Sequence, residues 1–431
     1  MDDPLVVHLR IANLGDYMFQ KIKQFIVDVN SGDLYKKSSN ITMRLNAKHE
    51  QFLYILLLAI FLVHYEMQTI MYPADWPVFN YIYLRTFLCM FLFVKYAFGE
   101  KKHFGVSETI LAIMISFSFF MAYQYAGYAK LFDTALLILC AKDISYRSVI
   151  KTYISVKLPM ILLTIILSQT GLVENLIYDQ HGRIREAFGF VYPTDFAAQI
   201  FFLFAAWACL RELRITYLEL AGMVVSAFLL KYFCDPRCSV ICIILLVLWM
   251  VFQKNQKYIP KKLRDSKLLH GIFKWGCLAV PYCFAGVMIL VSRFYNPENA
   301  VLSFLNSLVN GRLALGYEGF VNYDSTWYGQ YIEMIGNGGT TEKVVGYNFI
   351  DCSYLNIWLC FGSVIFVTVL VLLSYLTIKN WKHTLFLGII ILICLHSVIE
   401  HHLIEFHYNF MMLLPFTSWN MSNEIKKNKD S

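Results

Sequence analysis

Two groups of side chains in this chain have types and spacings suited to chemistry. The first is four arginines in segments otherwise poor in basic residues. Arg183 and Arg185 lie in GRIREAFGFVYPTD, Arg237 in the tight turn CDPRCS, and Arg312 in NGRLALGYEGF. Guanidinium binds phosphate oxygens bidentately and keeps its charge in partly apolar surroundings. Each charge-assisted hydrogen bond contributes about 1.5–3 kcal/mol, so two or three converging arginines can hold a pyrophosphate. The competing reading is local pairing: Arg237 with Asp235, Arg185 with Glu186, Arg312 with Glu318. The second group is Glu400, His401, His402, Glu405, His407 and Asn409 in IEHHLIEFHYN. Histidine titrates near neutral pH, which suits proton transfer. No two histidines here are four apart with a glutamate directly after the first, so the spacing gives no HExxH-type metal site. A metal held by His401 and His402 with a carboxylate, or a cluster that merely caps a helix and hydrates a turn, are the other readings. Asp351, in DCSY before an apolar stretch, reads as a helix N-terminal acid, and Glu318 and Asp324 are rival bases. Lys130 and Asp133 read as an internal pair.

The elements that must position these groups are set by composition. The chain has 431 residues, 58% hydrophobic and 16% charged, against roughly 25% charged in soluble domains; mean hydropathy is +0.52. There are too few polar residues to clothe two or three soluble domains. A soluble enzyme, a disordered chain and a disulfide scaffold are excluded, and long apolar blocks without short alternating strands argue against an outer-membrane barrel. The eleven cysteines fall mostly in apolar blocks without metal spacing and read as small apolar fillers. The N-terminus has no basic region followed by an apolar run, so the first span is expected to act as its own signal.

Apolar stretches occur at approximately 52–71, 78–98, 109–126, 127–141, 152–170, 196–210, 217–232, 239–252, 271–291, 353–378, 384–399 and 408–419. At about 20 residues per membrane helix, the expected fold is all-α: a polytopic membrane protein of about 12 transmembrane helices. The expected domains are a cytoplasmic N-terminal segment (1–49) with an amphipathic helix near 14–29, a membrane domain (50–420), and a basic cytoplasmic tail (421–431). Of the 37 Lys and Arg, 25 fall in segments on one side of this alternation and six on the other. Positive charge stays on the cytoplasmic side, so both termini are expected inside. Two long outer loops stand out, about 171–195 and 292–352. The second, between helices 9 and 10, carries Val301, Leu305, Leu308, Val309 and Leu313 at helical spacing, which predicts an interfacial helix. All four arginines and the histidine cluster then belong to the outer side.

The run NGRLALGYEGF through WYGQ to YNFIDCSYLNIWLCFG is similar to the signature of bacterial Wzy-type polysaccharide polymerases, especially the Gram-positive capsule and exopolysaccharide forms. REAFGFVYPTDFAA, DPRCS and EHHLIEFHYN resemble the same family, in order and spacing, over most of the chain past the first span. Members often carry a Ser–Arg pair where this chain has Pro236–Arg237, and Asn-Pro-Phe where it has Asn409–Phe410. The resemblance implies a membrane glycosyltransferase of the bacterial cytoplasmic membrane. It would polymerise undecaprenyl-pyrophosphate-linked repeat units on the outer face, without a metal or other cofactor. Its implied partners are lipid-linked oligosaccharide, membrane lipid, and a flippase and chain-length regulator of the same pathway, with no nucleic acid. Arg183, Arg185, Arg237, Arg312 and Asn409 would bind the pyrophosphate donor, and Glu400, His401 or His402 would take the acceptor proton. An O-antigen-type ligase and a lipid-linked oligosaccharide flippase are the alternatives.

Overall fold

A computed structural model describes residues 47–72, 81–98, 104–180, 182–258, 260–261, 265–342 and 344–419. The amphipathic helix expected near 14–29 and the basic tail lie outside these residues. The chain divides into two compact units, 1–50 with 93–102, and 51–92 with 103–431. The described part of the first is the first turn of one helix and the last turns of the next. Every interaction discussed below lies within the second.

The described chain is mostly helical. In order come α1 (Ala47–Met67), α2 (Tyr81–Phe98), α3 (Val106–Ala126), α4 (Ala129–Cys140) and α5 (Tyr146–Gln169). A two-stranded antiparallel hairpin follows, β1 (Ile177–Gln180) and β2 (Arg183–Glu186). Then come α6 (Pro193–Arg211), α7 (Tyr217–Phe233), α8 (Arg237–Lys254), α9 (Lys267–Arg293), α10 (Ala300–Leu308) and α11 (Arg312–Asn322). α12 (Ser353–Asn356) continues as a π turn (Ile357–Phe361), and α13 (Ser363–Lys379) and α14 (Thr384–His396) complete the helices. Six described helices are long and apolar enough to cross a membrane: Lys48–Met67, Val106–Ala126, Tyr146–Gln169, Pro193–Arg214, Arg237–Lys254 and Lys267–Arg293; α13 and α14 are shorter apolar helices. Large apolar side chains stay exposed along them and along α7, among them Phe228, Leu248 and Leu290. Such surface is stable only in lipid. The chain is a membrane protein.

Three stretches depart from expectation, and one of them, 353–378, is broken at Gly362 (φ 94°) between the π turn and α13. Residues 408–419 were expected to form a span but contain only a 3₁₀ turn, Phe410–Leu413. Asn409 diverts the backbone: its side-chain amide donates to the Leu403 carbonyl (2.7 Å) and its oxygen accepts from Met411 N (3.2 Å). Pro415 then supplies no N–H for a helix. Irregular backbone survives among membrane helices only where protein satisfies it, and it does here. Tyr153 Oη donates to the Tyr408 carbonyl, Lys379 Nζ to Pro415 and Thr417, and Asp143 N to Phe416. The third departure is the helix predicted across 301–313, which is two helices. Asn299 caps α10 through Val301 N and Leu302 N. The chain then breaks at Asn310 and Gly311, both at positive φ (51° and 81°), and the Asn306 side chain accepts from Leu313 N and Ala314 N at the start of α11. This break sets Arg312 as the first residue of a helix.

The hairpin, the C-terminal ends of α1, α5, α7, α9 and α14, and the N-terminal ends of α6, α8 and α11 meet at one end of the second unit, here the hairpin end. Backbone bonds from Met71 to Gly189 and from Val191 to Thr69 tie the chain after β2 to the end of α1.

Candidate functional site

All four arginines lie at the hairpin end, in two subsets. Three surround the turn before α8. Arg183 pairs with Asp235 (2.7 Å), which Lys231 also contacts. Arg185, 6% exposed, donates through Nε to the Cys234 carbonyl (2.8 Å) and lies over the Tyr192 ring. Arg237 is exposed and reaches Asn310 Oδ1 (3.4 Å). The fourth, Arg312, donates through Nε to the Ile399 carbonyl (3.1 Å), and its Nη1 lies 3.1 Å from Asp351 Oδ2. Asp235, expected at Arg237, therefore pairs with Arg183, and the carboxylate at Arg312 is Asp351, not Glu318. Arg183 and Arg312 are each held by a carboxylate, and Arg312 and Arg185 are arginines whose charge acts on Glu400.

Glu400 is the centre of this arrangement. It is 4% exposed, yet among the described residues its carboxylate makes no hydrogen bond or ion pair. The loop is fixed by backbone instead. Ser353 Oγ donates to the Glu400 carbonyl (2.5 Å) and accepts from Leu403 N (3.2 Å). Burial raises the Glu400 carboxyl above the ordinary range, and the Arg312 guanidinium works against that rise. Burial likewise pushes Asp351 up to about 7 against the pull of Arg312. Tyr347 Oη donates to Asp351 at 3.4 Å. An acid that titrates near neutrality and a buried, unbonded acid thus flank one guanidinium. This is the constellation expected of proton transfer beside an anion.

His401 and His402 lie beside it, their rings 4.2 Å apart. His402 is 1% exposed and stacks on Tyr408 (3.7 Å). Its Nδ1 is 2.9 Å from Glu405 Oε2, and its Nε2 is 3.6 Å from Asp195 Oδ1. Burial alone would lower the His402 imidazolium, but the two carboxylates carry it up to about 9. Burial and the neighbouring His402 push His401 down to about 4. Glu405 also pairs with Lys130 Nζ (2.8 Å). Lys130 therefore pairs with Glu405, not with Asp133. Asp133 instead accepts from Tyr65 Oη and from Arg85 Nε and Nη2. Asn409, expected to bind donor, spends both polar atoms on backbone and is fully buried; it positions the 400–409 loop.

Sequence reasoning missed Asp195 and Lys130 as members of the site and read Asp351 as a helix acid. Asp195 stands in the first turn of α6, where an acid is also the ordinary helix signal. What distinguishes Asp195 and Asp351 is that each faces a cationic side chain from a distant element, information absent from spacing. The site holds donors for an anion (Arg185, Arg312), an unbonded base (Glu400) and a histidine between two carboxylates. The chain matches no protein family, no curated protein and no solved structure in the comparisons made.

Proposed function

We propose that the chain is a membrane glycosyltransferase that polymerises polyprenyl-pyrophosphate-linked oligosaccharide repeat units, as its resemblance to the Wzy-type polymerases implies. It would work on the outer face of the cytoplasmic membrane, with both termini inside, as the 25-to-6 split of basic residues favours. The observation that carries the reading is Glu400, a buried carboxylate without a hydrogen bond in the field of Arg312 and Arg185.

The reaction asks for two things at once. An acceptor sugar hydroxyl attacks the anomeric carbon of the donor. A new C–O bond forms, the bond from that carbon to the pyrophosphate oxygen breaks, and the electron pair leaves with the lipid pyrophosphate. Glu400 takes the hydroxyl proton. Arg312 and Arg185 meet the charge growing on the leaving group. Such groups stabilise the transition state more than the ground state. Asp351, titrating near neutrality, adjusts the charge next to Arg312 as the anion arrives and departs.

The test is elongation by purified protein in detergent with a synthetic lipid-linked repeat unit and no membrane gradient. A ladder of repeat lengths supports the polymerase. A single joined conjugate indicates an O-antigen-type ligase, and no product at all removes the transferase reading. One observation favours a transporter as the second reading: charges are buried inside the bundle, with Lys157 against Glu66 and Arg85 against Asp133, and intramembrane charges often mark transport paths. Gradient-dependent movement of the lipid-linked unit without elongation would support it.

A further inference from the structure

We propose that His401, His402 and Glu405 form a divalent-cation site that takes a borderline transition metal such as Zn²⁺ or Co²⁺. The proposal does not rest on the glycosyltransferase reading. One ligand atom from each of the three residues lies within 4.8 Å of the other two. The gap between His402 Nδ1 and Glu405 Oε2, 2.9 Å, is close to the edge of a four-coordinate site, about 3.3 Å for metal–ligand bonds of about 2.0–2.1 Å. Two imidazoles and a carboxylate with an open position are a donor set that catalytic zinc sites use.

The second observation is an unmet need. Among the described residues, His401 Nδ1 and His402 Nε2 are buried with no hydrogen-bond partner. A buried polar atom left unpaired costs about 1–3 kcal/mol, and two imidazoles in ring contact each carry one. A cation bound by His401 Nδ1, His402 Nδ1 and Glu405 Oε2 meets the first need directly and leaves His402 Nε2 facing Asp195. His401 gains a ligand bond. His402, bound through Nδ1, must carry its proton on Nε2, where Asp195 Oδ1 waits at 3.6 Å. A carboxylate behind a metal-bound histidine is the usual supporting contact and fixes its tautomer. The metal takes the place that a proton between His402 Nδ1 and Glu405 would hold, so affinity is expected to fall as pH falls. Lys130 is the opposing influence. Its ammonium contacts the other oxygen of Glu405 (2.8 Å) and competes with the cation for that carboxylate. Sequence spacing gave no HExxH-type site and left the carboxylate beside His401 and His402 unnamed, because the ligands converge through an irregular loop and not along one helix face.

The full chain, purified in detergent and stripped with chelator, is equilibrated with Zn²⁺ or Co²⁺ at micromolar free metal, and bound metal is counted by mass spectrometry. The expected result is about one ion per chain, with visible ligand-field absorption from Co²⁺. His401→Ala and His402→Ala are expected to retain less than about a tenth of it, and His407→Ala, outside the ligand set, to retain it all. Lys130→Gln, which removes the competing cation, is expected to tighten binding about tenfold, an effect that misfolding does not produce. Wild-type protein that takes up no stoichiometric metal, or His401→Ala and His402→Ala variants that bind as wild type does, overturns the site. Lys130→Gln that binds no tighter removes Glu405 as the third ligand.

Discussion

Asp133 and Glu400 are both deeply buried acids, and the protein treats them in opposite ways. Asp133, on α4, is fully buried and accepts from Tyr65 Oη (2.5 Å), Arg85 Nε (2.6 Å) and Arg85 Nη2 (3.1 Å). Glu400, in the loop after α14, is 4% exposed and its carboxylate makes no hydrogen bond among the described residues. A buried charge costs several kcal/mol unless paired, so the first arrangement is closed and serves the fold. The second is open: no described residue bonds to its carboxylate, and its oxygens are not among the fully enclosed unpartnered atoms. An uncompensated carboxylate beside two arginines is what a site keeps for a ligand that completes it. The lesson is that burial alone does not distinguish a structural acid from an available one; its hydrogen-bond partners do.

The sharpest way to break this contrast is to remove one partner of the closed pair. Asp133→Leu takes from Arg85 its carboxylate and is expected to cost about 3–5 kcal/mol of stability, seen as loss of folded protein in thermal melts. The double change with Arg85→Met is expected to recover most of that loss, because no charge is then left buried. The open acid behaves in reverse. Glu400→Gln is expected to leave the melting temperature within a degree or two while lowering elongation by about 10²–10⁴-fold. Arg312→Lys, which keeps charge but loses the planar fork, is expected to lower it by about 10²–10³-fold. Equal loss of stability and activity in Glu400→Gln would erase the distinction.

The next effect is a pH dependence. The Asp351 carboxyl titrates at about 7 in the folded chain, above the ordinary value of about 3.9 for the unfolded one. The folded state therefore binds the proton more tightly. That contribution is complete below about pH 4 and is lost as pH rises through about 7. Asp351→Asn, which cannot ionise, is expected to flatten this fall; melts at pH 5 and pH 8.5 compare the two. The smallest effect is expected at Asn409. Asn409→Ala removes two backbone contacts and the start of the 3₁₀ turn, costing about 1–2 kcal/mol. Its activity loss should follow the loss of folded protein; a larger loss would mean that Asn409 also touches substrate.

Local pattern carried the helical part of the protein well. Segments such as 109–126, 152–170 and 271–291 became α3, α5 and α9 because a long apolar run must satisfy its backbone internally in lipid. Pattern failed at 408–419, where apolar composition is the same but Asn409 and Pro415 redirect the chain and neighbouring helices satisfy its backbone. It also failed to see the break at Asn310–Gly311, since apolar periodicity runs through it. Of the site, residue types pointed to the arginines, Glu400, His401 and His402. They did not say that Arg183 would be held by Asp235 or Arg312 by Asp351, because those partners are 52 and 39 positions away.

The amino-acid sequence by itself determined that this chain lives in a membrane, where its long apolar helices run, and which side chains have the chemistry to pair with an anion or carry a proton. These follow from composition and short-range periodicity, which act within a few turns of helix. Only the tertiary structure decided which of those side chains are closed by partners and which remain open, and that Asp195, Asp351 and Lys130 join them. Pairing is a contest among distant groups, settled by which elements meet at the hairpin end, and no local signal encodes that meeting.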